Sequence, residues 1–565
     1  MKKAIFVLFL LLSFGLVRAE DSKDLDLKHW AYPVLQRFEA RGWLVLPATR
    51  PYTYGQVAAE LGKMREMVAS GRLRFSKADQ YNWDKINQEF LGGTTPYSSG
   101  YDGRMMHSYE TLRQETTMDE DALISSTILR KNPDETVQSQ LVEKDLLAAG
   151  DEKVSFNADG ALCPRTVISN LTSPTNSLTG QVDFGGSIKG TMIFDQRLSF
   201  LVEKENAKVE KTSATQTAWR GGKLVIDWSY FRVKLPWLYV TLGRQQHWWG
   251  PGRVGTLLVS DNAPSFDALN IKIDYKRIGL ESFAGILGTE QQRFFSGHRA
   301  TFRLFKSLDL GASEVVIYKA KNIDPVYINP LLPFYGTQWN EREDDNVIWA
   351  ADAAWSAFNG CKVYGELLMD DVQYEQNPPA PQKLGFLAGF HLADPLGLPD
   401  TDVKLEYAGN QKWVYGHRRF ANRYVGGDSL SIIGHAIGTD ADLFDLKLEH
   451  RLHPRLNLGL EYSLERHGEG RISDSLIYGN QIIYVNGDPY TTGGVLGTDT
   501  VALGTGFLTG TIQRRDLGAL YFCWQPWHWM VFDAKFWLAY TKNPDNLAGL
   551  GFNDRGAELS LKLDY

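Results

Sequence analysis

From about residue 180 to its end the chain alternates with period two. Leu269, Ile271, Ile273 and Tyr275 alternate with Asn270, Lys272, Asp274 and Lys276. Val403, Leu405 and Tyr407 alternate with Asp402, Lys404 and Glu406. Met530, Phe532, Ala534, Phe536, Leu538 and Tyr540 alternate with residues that include Asp533 and Lys535. Successive side chains of a strand point to opposite faces, so each stretch predicts a strand with one apolar and one often charged face. In a soluble sandwich the apolar face would be the core; in a membrane barrel it meets lipid and the charged face lines the lumen. The final stretch favours the barrel: Ala557, Leu559, Leu561, Leu563 and Tyr565 form one face, Glu558, Ser560, Lys562 and Asp564 the other. A terminal amphipathic strand ending on an aromatic resembles the signal that outer-membrane assembly machinery reads.

The N-terminal part has a different rhythm. Lys2 and Lys3 precede an apolar run from Ala4 to Val17, and small or permissive residues end at Ala19, which predicts a cleaved secretory signal over residues 1–19. Trp30, Val34, Leu35 and Phe38 then recur at helical spacing, and Gly42 closes that helix. Val57, Leu61 and Met64 mark a second helix, and Ser76 with Asp79 caps a third through Trp83, Ile86 and Phe90. These predict a small helical bundle over 20–96. Residues 97–175 are polar, with an acidic knot at 119–121, and show no long period.

Connections fix the topology. Tight ones fall at 234–236, 276–278, 306–308, 358–360, 453–454 and 525–526, and longer ones near 243–268, 319–346, 371–383, 409–440, 466–509 and 542–555. Short turns belong at the periplasmic end of such barrels and long loops outside. About seventeen strands of roughly 9–11 residues emerge back to residue 180, and an N-terminal bundle on the periplasmic side requires an even number. One more strand is therefore expected within 97–175, with the barrel proper at 176–565. The predicted fold is an all-β transmembrane barrel of about eighteen antiparallel strands with a small periplasmic α-helical bundle.

Composition agrees. Aromatics make up 12% of the chain, with 16 Trp, 25 Tyr and 28 Phe, and there are 53 Gly. Aromatic girdles at both interfaces account for such numbers. No later stretch has the ~20 consecutive apolar residues of a membrane helix. Three cysteines without a CxxC pair provide no zinc or redox motif, and the net charge of −7 argues against nucleic acid as a partner.

One connection concentrates unusual residues. LGRQQHWWGPG (242–252) runs on into LVSDNAP (258–264). Exposed indole is costly in water, so Trp248 and Trp249 are either buried or held for a ligand. Both readings stay open: the loop could plug the lumen, with Gly250, Pro251 and Gly252 as turn punctuation, or it could grip a ligand. His247 reads as a hydrogen-bonded structural residue, since no second His lies at ligand spacing. The acidic runs 341–345 and 370–371 read as solvated loop charge, because neither has the spacing of a calcium loop.

These motifs resemble the capsule assembly protein Wzi family. WAYP (30–33), TRP (49–51), YINP (327–330) and LPF (332–334) also resemble elements of that family, and the likeness covers most of the chain after the signal. The resemblance implies an outer-membrane barrel that holds surface polysaccharide without transforming it, contributing to capsule or exopolysaccharide assembly or attachment. Sugar recognition uses aromatic faces and hydroxyl-bonding side chains. Candidate contacts are Trp248, Trp249, Tyr335 and Trp339 for faces, with Arg244, Gln245, Asp261 and Asn262 for polar groups. No catalytic residue, metal or cofactor is implied. The partners expected are capsular or extracellular polysaccharide, outer-membrane lipid and the assembly machinery. A porin-like channel with a periplasmic anchoring domain is the alternative, and a surface-polymer hydrolase a weaker one.

Overall fold

The computed structural model describes residues 22–91, 147–150, 154–172, 174–188, 191–205, 222–288, 292–305, 307–371, 382–417, 419–427, 431–472, 475–476, 483–485, 488–490, 507–527 and 529–564. The expected signal segment lies outside them, as does all of 97–146, with the acidic knot at 119–121.

Three helices form the N-terminal part: α1 (Ala31–Ala40), α2 (Tyr54–Ala69) and α3 (Lys77–Leu91). The apolar spacing found in the sequence is what they bury: Val34, Leu35 and Phe38 of α1, Val57, Leu61 and Met64 of α2, and Trp83 and Ile86 of α3 share one core. A capping box starts α2, where Gln56 N–H donates to Thr53 Oγ1 at 3.2 Å and Thr53 N–H to Gln56 Oε1 at 3.0 Å. Ser76 Oγ accepts from Asp79 N–H at 2.9 Å and caps α3.

Eighteen antiparallel strands close into a barrel. They are β1 (Val154–Ser169), β2 (Thr175–Ile188), β3 (Met192–Glu205), β4 (Gly222–Lys234), β5 (Leu238–Gln245), β6 (Phe266–Tyr275), β7 (Ile278–Gly288), β8 (Arg293–Leu304) and β9 (Leu308–Lys319). The second half is β10 (Asn346–Phe358), β11 (Cys361–Asp371), β12 (Lys383–Ala393), β13 (Thr401–Asn410), β14 (Ala441–His453), β15 (Leu456–His467), β16 (Gln513–Trp527), β17 (Met530–Lys542) and β18 (Gly551–Asp564). Each pairs with its neighbours in sequence, and β18 closes the ring on β1, with Gly556 opposite Ser169 and Asp564 opposite Ala161. The seventeen strands from β2 onward follow the alternation, and β1 supplies the even count. A short strand, Leu147–Gly150, pairs with the start of β1.

Register separates two faces. Arg299, Ser313, Ala350 and Leu368 stand side by side across β8–β11. This face points inward: Arg299 is buried against Asp352 at 2.6 Å, and Lys404 against Glu449 at 2.5 Å. The opposite face leaves Phe302, Leu310, Trp355, Leu367, Leu460, Phe536 and Leu538 exposed. Polar inside and bare apolar outside is the pattern of a barrel whose solvent is lipid. Among the described residues no helix is long and apolar enough to cross a membrane.

The helices dock at the short-turn end. Arg37 of α1, fully buried, donates to Asp79 at 2.6 Å, to Asp394 in the β12–β13 turn at 2.7 Å and to Asp402 of β13 at 3.0 Å. Lys362 meets Glu39 at 2.6 Å, Arg232 meets Asp24 at 2.7 Å, and Gly360 N–H donates to Ala40 O at 2.9 Å.

Candidate functional site

The connection from β5 to β6 leaves at the end opposite the helices and folds back into the lumen. Trp248 and Trp249 pair as a two-residue strand with Arg50 and Thr49, which reach in from the helical side. Gly250 N–H donates to Ala48 O at 3.3 Å, and Trp249 N–H to Val259 O at 2.9 Å. Two segments entering from opposite mouths therefore meet inside the barrel.

Wall carboxylates fasten this loop. Glu366 of β11 accepts Gly252 N–H at 3.0 Å and Leu257 N–H at 2.8 Å. Glu406 of β13 accepts Arg253 N–H at 2.6 Å and Val254 N–H at 2.8 Å, and also Tyr364 O–H at 2.8 Å. The Arg253 side chain pairs with Asp445. Burial opposes its charge, but Asp445 and Glu406 hold the guanidinium above its ordinary value. Backbone N–H groups buried in a loop need acceptors, and these carboxylates supply them. Gly250 has φ +138°, and a Cβ there would lie 2.4 Å from Glu366 Oε1, so the close approach requires glycine.

The 411–440 loop covers the first from the same side. Tyr424 O–H donates to Leu258 O at 2.8 Å, Tyr415 O–H donates to Leu257 O, and Ser260 N–H donates to Ile433 O at 2.9 Å. Trp249, Leu257, Leu258, Val259, Tyr415, Tyr424 and Ile433 join wall residues Phe283, Phe295, Val315, Ile348 and Leu368 in one apolar core. His435, buried in this loop, is pushed down to about 4 by loss of solvent.

The sequence-predicted residues part company here. Trp248 and Trp249 are 5% and 1% exposed, and Gln245 is buried too. Trp249 Nε1–H donates to Glu281 at 3.0 Å, Trp248 Nε1–H to Gly250 O at 3.1 Å, and the Arg50 guanidinium lies 5.1 Å over the Trp248 ring. Gln245 bonds Asp24 at 2.8 Å and accepts from Asn270 at 2.7 Å. His247 shares a 2.8 Å bond with Asn270, in agreement with the structural role expected, and burial lowers its pKa. Asp261 and Asn262 are exposed at the loop's outer edge, where Asn262 Nδ2–H donates to Ile432 O at 2.9 Å. Arg244 turns to the outer face and pairs with Asp267 at 2.8 Å. Tyr335 and Trp339 are exposed together, 6.0 Å apart, on a short helix, α4 (Phe334–Glu341). That helix does not join the other candidates: it lies outside the barrel wall, packed over Val316, Tyr318 and Val347.

The acidic runs are corrected in part: Glu341 and Glu343 are exposed as expected, and Asp345 and Asp370 are not. Asp345 is not solvated but buried, accepting Tyr327 O–H at 2.6 Å, and burial raises it to about 6. Asp370 is buried and accepts Tyr415 N–H at 2.6 Å. The residues that hold the loop, Glu281, Glu366 and Glu406, were not among the candidates. Alternation marks them as inward-facing, but only the folded loop shows what they accept.

A closed barrel of eighteen strands, apolar outside, with loops fastened in its lumen and helices docked at one mouth, defines an outer-membrane β-barrel protein. The chain belongs to the capsule assembly protein Wzi family, whose profile matches residues 176–492. Among solved structures it resembles Wzi of Escherichia coli, an outer membrane protein involved in group 1 capsule assembly and described as a carbohydrate-binding β-barrel. The two share 14% identity and a TM-score of 0.55, over 98% of this chain and 100% of that one. OprD and OpdK of Pseudomonas aeruginosa align with TM-scores of 0.42 and 0.43 at 8% and 10% identity, each over 73% of this chain and over 95% and 98% of theirs. No curated protein matches the chain by sequence.

Proposed function

We propose that this protein binds surface polysaccharide at the barrel end opposite the helices and contributes to capsule or exopolysaccharide assembly or attachment. It holds polymer without transforming it. The observation that carries this reading is the inward fastening of the 246–265 loop: Glu366 and Glu406 hold its backbone, so its outer edge is left as a fixed polar surface. Asp261 and Asn262 stand on that edge. Phe420 and Arg419, exposed on the companion loop, add an apolar ring and a cation. Trp248, Trp249 and Gln245 support the surface from beneath. The described carbohydrate binding of E. coli Wzi, on a shared family and fold, supports the same assignment.

In this reading residues 1–19 direct export and are removed, the helices face the periplasm, and lipid surrounds the wall. The β18 strand serves as the signal for the assembly machinery. Native polymer from the source cells, retained by immobilised purified protein, is the test. Removing two sugar-facing groups at about 1 kcal/mol each lowers affinity about thirtyfold, so D261A/N262A should retain correspondingly less polymer. Full retention by that variant removes these residues from the site. A wild-type protein that retains no polymer and conducts robustly in planar bilayers overturns the reading in favour of a channel.

A further inference from the structure

The β9–β10 connection spans residues 320–345. It descends over the outside of the barrel. Glu314 of β9 faces outward, since His298, Glu314 and Trp349 are register partners on the face opposite Arg299, Ser313 and Ala350. An outward carboxylate on a lipid-facing wall is unfavourable unless covered. Here it is buried under the start of α4. Phe334 N–H and Tyr335 N–H donate to it at 2.8 and 2.9 Å, Trp349 Nε1–H at 2.7 Å, and His298 Nε2 lies at 3.1 Å. Tyr327 and Phe334 pack beneath, on Phe294, Val316, Tyr318 and Val347. The segment returns to the rim at Asp344, which pairs with Arg419 at 2.8 Å and takes Asn422 Nδ2–H on its carbonyl at 2.7 Å.

The height of the apolar band shows what the other side of this flap meets. On β17 the outward residues run from Met530 to Tyr540, ten residue steps, or about 26 Å of height at ~3.4 Å per residue and a ~40° tilt. That matches the ~25 Å apolar band of such barrels. On β9 only Leu308, Leu310 and Ala312 precede Glu314, which leaves about 10 Å. The missing height is the part that α4 covers. The flap's own outer side carries Leu331 at 77% exposure, Trp339 at 64%, Tyr335 at 40% and Ile328 at 36%. We infer that the 320–345 flap is part of the lipid-facing wall, with Leu331, Tyr335 and Trp339 seated at the acyl-chain and headgroup boundary of the outer leaflet. Their chemistry is that of an interfacial anchor: an aliphatic group beside two amphipathic aromatics. The flap is continuous with the exposed Leu310 and Phe302 below it, and its occupant is bilayer lipid.

Hydroxyl-radical footprinting of the wild-type protein tests this in two states: vesicles of dioleoylphosphatidylcholine, and dilute detergent stripped from the upper wall by a maltoside exchange series. In vesicles Tyr335 and Trp339 should be oxidised at least fivefold more slowly than Phe420 at the rim, and at a rate comparable to Leu538 and Tyr540 on the bare wall. Oxidation of both at the Phe420 rate overturns the proposal and returns them to the polymer-facing surface. An independent measurement uses L331C or W339C, in a background with the three native cysteines changed to serine, carrying an environment-sensitive dye. Nitroxides on the lipid acyl chains should quench the dye strongly. Quenching by aqueous iodide alone counts against the inference.

Discussion

The backbone N–H of Leu257 donates to the carboxylate of Glu366 at 2.8 Å, joining the middle of the diagnostic loop to a wall strand 109 residues away. The same carboxylate takes Gly252 N–H at 3.0 Å. One residue thus holds both legs of the turn. Glu366→Ala leaves two buried donors unpaired, at about 1–3 kcal/mol each. The expected outcome is a loosened loop in an intact barrel, seen as faster tryptic cleavage after Arg253 with unchanged heat-modifiable migration. Cleavage at the wild-type rate would show that Glu366 does not hold the loop.

The buried and exposed tryptophans should separate cleanly. Trp249→Ala empties a packed site beside Phe283 and takes one hydrogen bond from Glu281, which keeps Lys272 at 3.9 Å, a loss of about 3–5 kcal/mol for such a truncation. Trp339 packs on no protein core, so Trp339→Ala loses only its contact with the surrounding detergent or lipid and should cost about 1 kcal/mol or less. Denaturant or thermal unfolding followed by circular dichroism compares them; equal stabilities would contradict the burial assignment.

Arg37 decides how the helices sit. Replacing it with Met leaves Asp79 buried without its cation, while Asp402 keeps Arg451 at 2.5 Å, and breaking a buried pair from one side costs about 3–5 kcal/mol. The helices over 22–91 should become protease-sensitive while the barrel stays resistant. The reading fails if the helices remain as protected as in wild type.

His435 gives the loop core a pH dependence. Its folded pKa, about 4, lies below the ordinary 6.5 because burial disfavours the cation. The unfolded chain takes up the proton first as pH falls. Its contribution to stability is therefore complete above about pH 6.5 and is lost progressively toward pH 4, by about 3 kcal/mol at the bottom of that window. Urea midpoints at pH 7.5, 5.5 and 4.5 should fall more steeply for wild type than for His435→Gln. Parallel curves would rule out His435 as the source.

Much of this architecture was legible beforehand because alternation is local. Leu269–Tyr275 or Met530–Tyr540 need only their own neighbours to define two faces, and turn chemistry then fixes the order of strands. The helices were legible for the same reason, through Val34, Leu35, Phe38 and the Ser76 cap. The candidate site was legible only in part. Asp261 and Asn262 are where a polar loop edge belongs, but Trp248 and Trp249 look the same in sequence whether they meet a sugar or a wall. Asp345 and Asp370 read as solvated because charge in a loop usually is; Asp345 is buried against Tyr327 of the same connection, and Asp370 against the backbone of Tyr415 from the companion loop.

The sequence by itself determined the barrel, its strand order, the helical domain and the family, since period-two faces, capping residues and the 242–264 motif are all short-range features. Tertiary structure decided which way each loop turned. The 246–265 loop went inward because carboxylates on β11 and β13, more than a hundred residues on, offered acceptors for its N–H groups. The 320–345 flap went outward because Glu314, pointing to lipid, had to be covered. Both outcomes depend on closing the ring, which brings donors and acceptors together at distances no local pattern encodes.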